Sequence, residues 1–368
     1  MIYLDNGATS FRKPEAVYQA VERALRTCAN PGRGSYGAAM AASRVVYSCR
    51  EEAAKLFSCR PEQVVLTTSC THGLNTAIRS LIKPGGKVVI SGFEHNAVTR
   101  PLHALGAEIR VAGRRLFDWS DTLAEFEQKI PGADAAVFTH VSNVFGYILP
   151  VTEMAAICRK QGVPFILDAA QSAGTLEVNM EKLGAAFIAM PGHKGLLGPQ
   201  GTGLLLCADG AQPLLYGGTG SASVSQTMPE DLPERLEAGT LNVPGYAGLT
   251  EGLRYLNRRG VVSVFRREHT QLLRCVQGLR ELGMKVFFGD HQAGTVSFLC
   301  GCDCEEGALC LAEQGIAVRA GLHCAPYAHE SAGTLSTGTI RVSFGQNAFS
   351  GQTDAFLRAA SKLPRFYP

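Results

Sequence analysis

The chain lacks an excess of charge of either sign, a long hydrophobic run, an internal repeat and any low-complexity tract. Its 368 residues contain 35 Lys and Arg against 32 Asp and Glu, a formal net charge of +3. This near balance argues against a basic nucleic-acid-binding surface, which needs clustered positive charge. No stretch of about 18 residues is apolar and free of charge, so we expect no membrane span. The first ten residues carry Asp5 and no long apolar run, so we expect no signal peptide.

The composition is that of a globular protein. Hydrophobic residues make up 46% of the chain and charged residues 18%, which excludes a disordered chain. A chain of this length buries a full core without disulfide bonds, and its length indicates two domains. The 12 cysteines are irregularly spaced, so we expect reduced thiols and a cytoplasmic protein rather than a disulfide framework.

The first two thirds of the chain alternate short apolar runs with segments of helical length. We predict helices over 73–81 and 152–161, the second with Thr152 as its N-cap. Buried strands are predicted over 63–68, 87–91, 135–140, 164–168, 186–189 and 203–207. Apolar strands separated by helices are typical of a mostly parallel sheet covered on both faces.

The pattern changes after residue 245. One long helix is predicted over 249–280, followed by strands over 285–288, 295–299 and 339–344. Strands and helices in separate groups favour a smaller α+β domain, which the N-terminal residues are expected to join. We therefore predict a large domain of residues 15–245 and a small domain of residues 1–14 and 246–368.

Polar residues follow the predicted strands, one group after each. Ligands bind beyond the carboxyl ends of the strands in an open parallel sheet, so these groups predict one shared site. The groups occupy residues 69–73, 94–96, 140–143, 168–171 and 193–194.

Two of these residues suggest a pyridoxal-phosphate site. Lys194 lies between glycines, and a partly desolvated amine there can form a Schiff base. Asp168 ends an apolar strand, where a buried acid needs a cationic partner such as a protonated pyridine nitrogen. Taken singly, Asp168 is equally well a helix N-cap and Lys194 a solvated lysine.

Four further residues fit the same cofactor. Thr71 begins a helix after a strand, where a hydroxyl and backbone N–H groups can hold a phosphate. His95 can stack on a flat ring and move protons, and Asn143 and Gln171 can hydrogen-bond the ring oxygen. Each of these also has a structural interpretation, so the functional one depends on their joint placement.

The order of the motifs resembles that of class-V aminotransferase-fold pyridoxal-phosphate enzymes, and among them the cysteine desulfurases. The segment Arg319–Ala325 resembles the SufS-like group, with Arg-x-Gly-x-His-Cys-Ala. The matching stretches span nearly the whole chain, at residues 3–9, 71–75, 94–96, 140–143, 168–171, 192–194, 235–240 and 319–325. The resemblance implies an α/β chain of the fold type I transferases, with a mostly parallel seven-stranded sheet in the large domain and a smaller α+β domain.

The resemblance also implies which residues bind the cofactor, pyridoxal 5'-phosphate. Lys194 holds it covalently, Asp168 pairs with the pyridine nitrogen, Gln171 binds the ring hydroxyl and His95 stacks on the ring. The remaining cofactor contacts come from Thr71, His193, Asn143 and, across a homodimer, Thr240 of the other subunit.

Substrate residues follow from the same resemblance. Arg341 and Asn143 bind the substrate carboxylate, and Arg319 lies near the nucleophile, Cys324. The implied catalytic residues are Lys194, His95 and Cys324. A cysteine attacks as its thiolate, and we expect His323 and Arg319 to favour that anion.

The implied reaction releases sulfur from L-cysteine, leaving L-alanine and a persulfide on Cys324. L-Selenocysteine is an alternative substrate, because its C–Se bond is weaker. Two other functions stay open: a class-V aminotransferase or other lyase in which Cys324 is incidental, and a non-catalytic sulfur-carrier scaffold. The motifs specify neither the sulfur-acceptor protein nor the pathway, of which iron–sulfur cluster assembly is one.

Two positions depart from the family pattern, and one cysteine cluster needs an interpretation. Pro191 and Cys70 stand where the family usually has hydroxyl residues, and proline offers neither a side-chain donor nor an N–H group. Residues Cys300 to Cys310 include four cysteines, but their spacing is not a common zinc pattern. We expect no metal there, and a helix that begins near Asp303 or Cys304.

Overall fold

The computed structural model describes residues 1–32, 34–208, 210–220 and 223–367. The strands are β1 (Ile2–Tyr3), β2 (Val64–Thr67), β3 (Lys87–Ser91), β4 (Glu108–Ala112), β5 (Ala135–Thr139), β6 (Phe165–Asp168), β7 (Phe187–Pro191), β8 (Gly203–Cys207), β9 (Lys285–Phe287), β10 (Thr295–Leu299), β11 (Ile316–Ala317), β12 (Arg319–Gly321) and β13 (Thr339–Ser343). The helices are α1 (Glu15–Thr27), α2 (Gly37–Phe57), α3 (Cys70–Leu81), α4 (Asn96–Ala104), α5 (Trp119–Lys129), α6 (Val151–Gln161), α7 (Met180–Leu183), α8 (Val243–Arg259), α9 (Val261–Glu281), α10 (Cys304–Glu313), α11 (Pro326–Ala332) and α12 (Ser350–Ala360). Short 3-10 helices occupy Pro61–Gln63 and Glu234–Leu236.

The larger sheet has seven strands in the order β2-β8-β7-β6-β5-β3-β4. All neighbours pair in parallel except those of β8, which is antiparallel to both β7 and β2. Every residue of β5, β7 and β8 is buried, as continuous apolar sequences require when helices cover both faces of a sheet. The predicted mostly parallel α/β fold is confirmed.

The side chains of this sheet alternate between two hydrophobic clusters. Val89 points into the cluster that also holds α2, α6 and α8, whereas Val88 and Ile90 point into the cluster on the other face, with α3 and α4. This is the period of two that a β-strand imposes. The site residues therefore lie at the strand ends, beyond the packed layers.

The smaller sheets join the two ends of the chain. β12, β13, β10 and β9 form an antiparallel sheet in that order, and β1 pairs in parallel with β11. Asp5 continues the N-terminal strand in a bridge to Ser343. α8 begins at Val243 and packs on α1 and α2. The predicted domain boundary between residues 245 and 246 therefore falls inside this helix, and it stays a prediction.

Three predicted elements differ from the structure. The helix predicted over 249–280 is two helices, α8 and α9, divided at Gly260, whose φ is 78°. A lone glycine costs a helix only about 1 kcal/mol, so the sequence pattern gave no reason to end the helix there. Thr152 is not an N-cap, since α6 begins at Val151 after Pro150, and α3 begins at Cys70 rather than at residue 73.

Among the described residues, no helix combines the length and the apolar character needed to cross a bilayer.

Candidate active site

Several of the predicted site residues lie where the carboxyl ends of β3, β5, β6 and β7 face β12 and β13 of the smaller sheet. Several hydrogen bonds link the two sheets and their adjoining loops there. The Asn96 backbone N–H donates to the Cys324 carbonyl at 2.7 Å, and Arg341 Nη1 donates to the Asn143 carbonyl at 2.9 Å. Residues from distant parts of the chain thus border one site.

Asp168 ends β6 and is 2% exposed. Its Oδ1 accepts hydrogen bonds from the Ala170 N–H at 2.9 Å and from the Cys70 thiol at 3.6 Å. Burial raises the pKa of this carboxyl, although Lys194 opposes the rise. No helix begins directly after Asp168, so the helix-capping alternative is excluded, and no described residue donates to Oδ2.

Lys194 follows β7 in a turn and is half-buried. Burial lowers the pKa of its amine, while Cys70 and Asp168 favour the protonated form. The lysine borders a cavity together with Gln171, whose Nε2 donates to the Gly7 carbonyl at 3.0 Å. The structure therefore shows a partly buried amine near a buried acid, and the cofactor role of Lys194 stays a prediction.

His95 is the N-cap of α4. Its Nδ1 accepts from the Ala97 N–H at 3.0 Å, so the neutral ring carries its proton on Nε2. Burial, with Lys194 and Arg319 adding to it, lowers the pKa of His95 to about 4. The ring is therefore uncharged at neutral pH.

Cys324 is exposed and belongs to a short segment with left-handed backbone geometry. The φ angles of His323 and Cys324 are 51° and 56°, which is strained for non-glycine residues. Asn143 Nδ2 holds this segment by donating to the His323 carbonyl at 2.8 Å. The thiol is thus presented to solvent on a tethered backbone.

The expectation that His323 supplies positive charge beside Cys324 is wrong. His323 is 5% exposed, and burial, with Arg341 adding to it, lowers its pKa to about 3. Its Nε2 lies 3.3 Å from the Arg319 carbonyl, so the neutral ring supports the turn instead. Arg319 itself is exposed, and its backbone lies opposite that of Arg341 in the antiparallel strands β12 and β13.

Arg341 is 1% exposed, and its Nη2 donates to Asp5 Oδ1 at 2.6 Å. No described residue pairs with Nε. Two of the five guanidinium N–H groups are used by Asp5 and Asn143, so three remain for a ligand. Sequence reasoning missed Asp5, although it lies within the matching stretch at residues 3–9.

Only some of the residues predicted to bind the phosphate lie close to one another. Thr71 is exposed in the first turn of α3, which Ser69 caps by accepting from the His72 N–H at 3.1 Å. His193 Nδ1 lies 3.0 Å from Thr9 Oγ1, and burial lowers the pKa of His193 to about 4.

Thr240 and Cys70 differ in their contacts with the site. Thr240 is exposed, and no hydrogen bond or ion pair among the described residues joins it to Asp168 or Lys194. The Cys70 thiol is turned toward Asp168, a contact that sequence reasoning missed because no local pattern connects two residues 98 positions apart.

The cysteine cluster begins α10. Asp303 caps this helix by accepting from the Glu305 N–H at 2.8 Å, which confirms the predicted helix start. The Sγ atoms of Cys300 and Cys302 lie 3.5 Å apart. Within the described ranges, no three His, Cys, Asp or Glu side chains are grouped to hold a metal ion.

Comparisons with known proteins agree on one family. The aminotransferase class-V family matches residues 2–356. A probable cysteine desulfurase from Pyrococcus abyssi is 32% identical, over 99% of this chain and 94% of its own. The apo structure of a cysteine desulfurase from Thermococcus onnurineus is 33% identical, with a TM-score of 0.90, and the alignment covers 98% of this chain and 94% of that one. The cysteine desulfurase CsdA from Escherichia coli is 25% identical, with a TM-score of 0.85 over 97% of this chain and 93% of its own.

Proposed function

The chain belongs to the class-V aminotransferase family, and we propose that it is a cysteine desulfurase that takes the sulfur of L-cysteine onto Cys324. One observation carries the proposal. The carbonyl of the exposed Cys324 accepts a hydrogen bond from the N–H of Asn96, the residue after His95, on the side of the sheet where the strands leading to the buried Asp168 and the half-buried Lys194 end.

The residues present fit pyridoxal 5'-phosphate. Asp168 offers a buried carboxylate oxygen without a donor, which suits a protonated pyridine nitrogen, and Lys194 offers a desolvated amine beside a cavity. Gln171 would bind the ring hydroxyl and His95 would stack on the ring. When bound, this cofactor supplies the electron sink that makes the α-carbon of an amino acid acidic.

The phosphate would lie near the start of α3. The first turn of a helix presents unpaired N–H groups and a positive dipole end, and Thr71 adds a hydroxyl there. His193 would complete the phosphate contacts within the chain, and Asn143 would hydrogen-bond the ring oxygen. Thr240 would reach the phosphate of a second subunit in a homodimer, which its exposure in the single chain supports.

Lys194 moves the proton at the substrate α-carbon. Because burial lowers the pKa of the amine, more of it is neutral and able to accept a proton near pH 7. His95 holds its own proton at Nε2 and stays neutral, so it would stack on the cofactor ring without repelling a cationic ring nitrogen.

Arg341 and Asn143 orient the substrate. The free N–H groups of Arg341 would bind the carboxylate, while Asp5 and the Asn143 carbonyl fix the guanidinium. Arg319 lies opposite Arg341 in the neighbouring strand, so it would line the entrance to the substrate site.

Sulfur transfer then takes place at Cys324. The thiolate attacks the substrate Sγ, so an S–S bond forms and the Cβ–Sγ bond breaks. The electron pair of the broken bond stays with the substrate carbon, which takes a proton and becomes the methyl group of L-alanine. The outer sulfur of the Cys324 persulfide passes to an acceptor thiol. All twelve cysteines lie in the described ranges and none of them forms a disulfide bond there, which supports a reducing, cytoplasmic setting.

The test measures alanine formed from L-cysteine and from L-selenocysteine by the wild type and Cys324→Ala. Cys310→Ala is the matched control, since this partly exposed cysteine lies on α10 outside the site. Cys324→Ala should lose cysteine turnover by roughly 100-fold or more, as expected when a nucleophile is removed, and the control should keep it. Full cysteine turnover by Cys324→Ala would contradict the proposal and favour another lyase. Selenocysteine turnover kept by this variant would show that the weaker C–Se bond breaks without the nucleophile.

A further inference from the structure

A buried ion pair links α2 to the segment that leads to Thr240. Arg50 is 8% exposed and Glu237 9% exposed. The contact is bidentate, with Nη1–Oε1 at 2.8 Å and Nη2–Oε2 at 2.6 Å. Burying two charges costs desolvation energy that their attraction only roughly offsets. Such a pair therefore fixes the relative position of the two segments more than it stabilises the fold.

The same two side chains bind the outer edge of β2. Glu237 Oε1 accepts from the Leu66 N–H at 2.6 Å, and Arg50 Nη1 donates to the Val64 carbonyl. β2 is an edge strand that pairs only with β8, so these backbone groups have no strand partner. The ion pair therefore fixes residue 237 against the rigid seven-stranded sheet.

Glu237 lies three residues before Thr240. Gly239 between them has a φ of 95°, and its N–H donates to the Gly218 carbonyl at 2.8 Å. Thr240 itself is exposed, and no hydrogen bond or ion pair within the described ranges joins it to Lys194 or Asp168 of its own chain. The ion pair thus forms the base of a short segment that ends in an exposed hydroxyl.

We propose that Arg50 and Glu237 are positioning residues that hold Thr240 in place to complete the cofactor site of a second copy of this chain. This inference rests on the proposed function, which requires a cofactor phosphate near Thr71 and a homodimer. The alternative is action within the same subunit, since β2 continues through Ser69 to Thr71.

Heterodimers with one working Lys194 separate these possibilities. In the first, a Lys194→Ala subunit is paired with a Glu237→Gln subunit, so the working site receives a native Thr240 segment from its partner. In the second, a Lys194→Ala/Glu237→Gln subunit is paired with a wild-type subunit, so the working site receives the altered segment. Both are purified with two different affinity tags, and cofactor affinity and alanine production are measured.

If the ion pair positions Thr240 for the other subunit, the first heterodimer should keep about half of the wild-type activity, since one of the two symmetric sites works. The second should bind the cofactor roughly tenfold more weakly, the factor expected when one hydrogen bond to a charged phosphate is lost. The reverse pattern, or equal loss in both, would overturn the inference. A wild-type protein that is monomeric while it produces alanine would also overturn it.

Two controls keep the test interpretable. Glu177→Gln removes a glutamate whose ion pair with Lys182 is exposed, and should leave both measurements unchanged. If Glu237→Gln does not fold, Arg50→Met/Glu237→Gln replaces it, because removing both charges together leaves neither buried alone. Absence of cysteine turnover in the wild-type homodimer would refute the proposed function, whereas the heterodimer pattern tests only the positioning role.

Discussion

Burial of Glu268 on α9 makes part of the stability of this protein depend on pH, and Glu268→Gln should remove that part. The side chain is 6% exposed and borders the same cavity as Lys194. No described residue hydrogen-bonds to its carboxyl, and burial raises the pKa of Glu268 from 4.5 to about 8. Glutamine has nearly the same shape and never ionises.

The sign and size follow from linkage between proton binding and folding. A raised pKa means that the native state holds a proton that the unfolded chain releases above about pH 4.5. The stability contributed by protonated Glu268 is therefore complete below pH 4.5 and is lost as the pH rises to about 8. At about 1.4 kcal/mol for each pH unit, the loss near pH 7 has an upper limit of about 3 kcal/mol.

Urea unfolding followed by circular dichroism at pH 5, 7 and 8 measures how the free energy of unfolding depends on pH. The protein and cofactor concentrations are kept constant, because ligand and subunit binding also shift stability. Glu268→Gln should match the wild type near pH 5 and exceed its free energy of unfolding by about 1–3 kcal/mol at pH 7 to 8. Glu281→Gln, an exposed site on the same helix, should show no such trend with pH. A difference between Glu268→Gln and the wild type that stays constant with pH would refute the reasoning.

Three further substitutions test the fold and the site. Ser69→Ala removes the N-cap of α3 and should lower the free energy of unfolding by about 1 kcal/mol in urea unfolding; an unchanged midpoint would contradict it. Gly260→Ala meets no atom within 4 Å but places a side chain at a φ of 78°, so thermal unfolding should show a loss of about 1–3 kcal/mol from backbone strain alone. Arg341→Lys keeps the charge but loses the planar fork, so the KM for L-cysteine in alanine assays should rise roughly 10- to 100-fold. An unchanged KM would remove Arg341 from the substrate site.

The sequence predicted the central sheet well because its strands are short, apolar and flanked by turns. Its strands at 87–91 and 203–207 have the predicted bounds, as does the strand at 295–299 of the smaller sheet, whereas β4 of the central sheet was not predicted. The break at Gly260 was missed because a glycine inside a helical pattern does not show whether its φ will be positive. Residue type alone does not determine that geometry.

The sequence predicted the part of the candidate site that lies at the ends of strands. Asp168, Lys194 and His95 follow strands of one sheet, and parallel strands bring their carboxyl ends to one edge. The pairing of Arg341 with Asp5 joins residues 336 positions apart, so only the fold reveals it. The neutral state of His323 was mispredicted because it depends on burial that no local pattern encodes.

The central claim is that Cys324 takes the sulfur of L-cysteine. The most direct measurement is mass spectrometry of the peptide that contains Cys324, after one turnover of the holoenzyme with L-cysteine and without a reducing thiol. One added sulfur atom on Cys324 is expected for each alanine formed. Alanine formed while Cys324 stays unmodified, or an added sulfur found first on another cysteine, would contradict it.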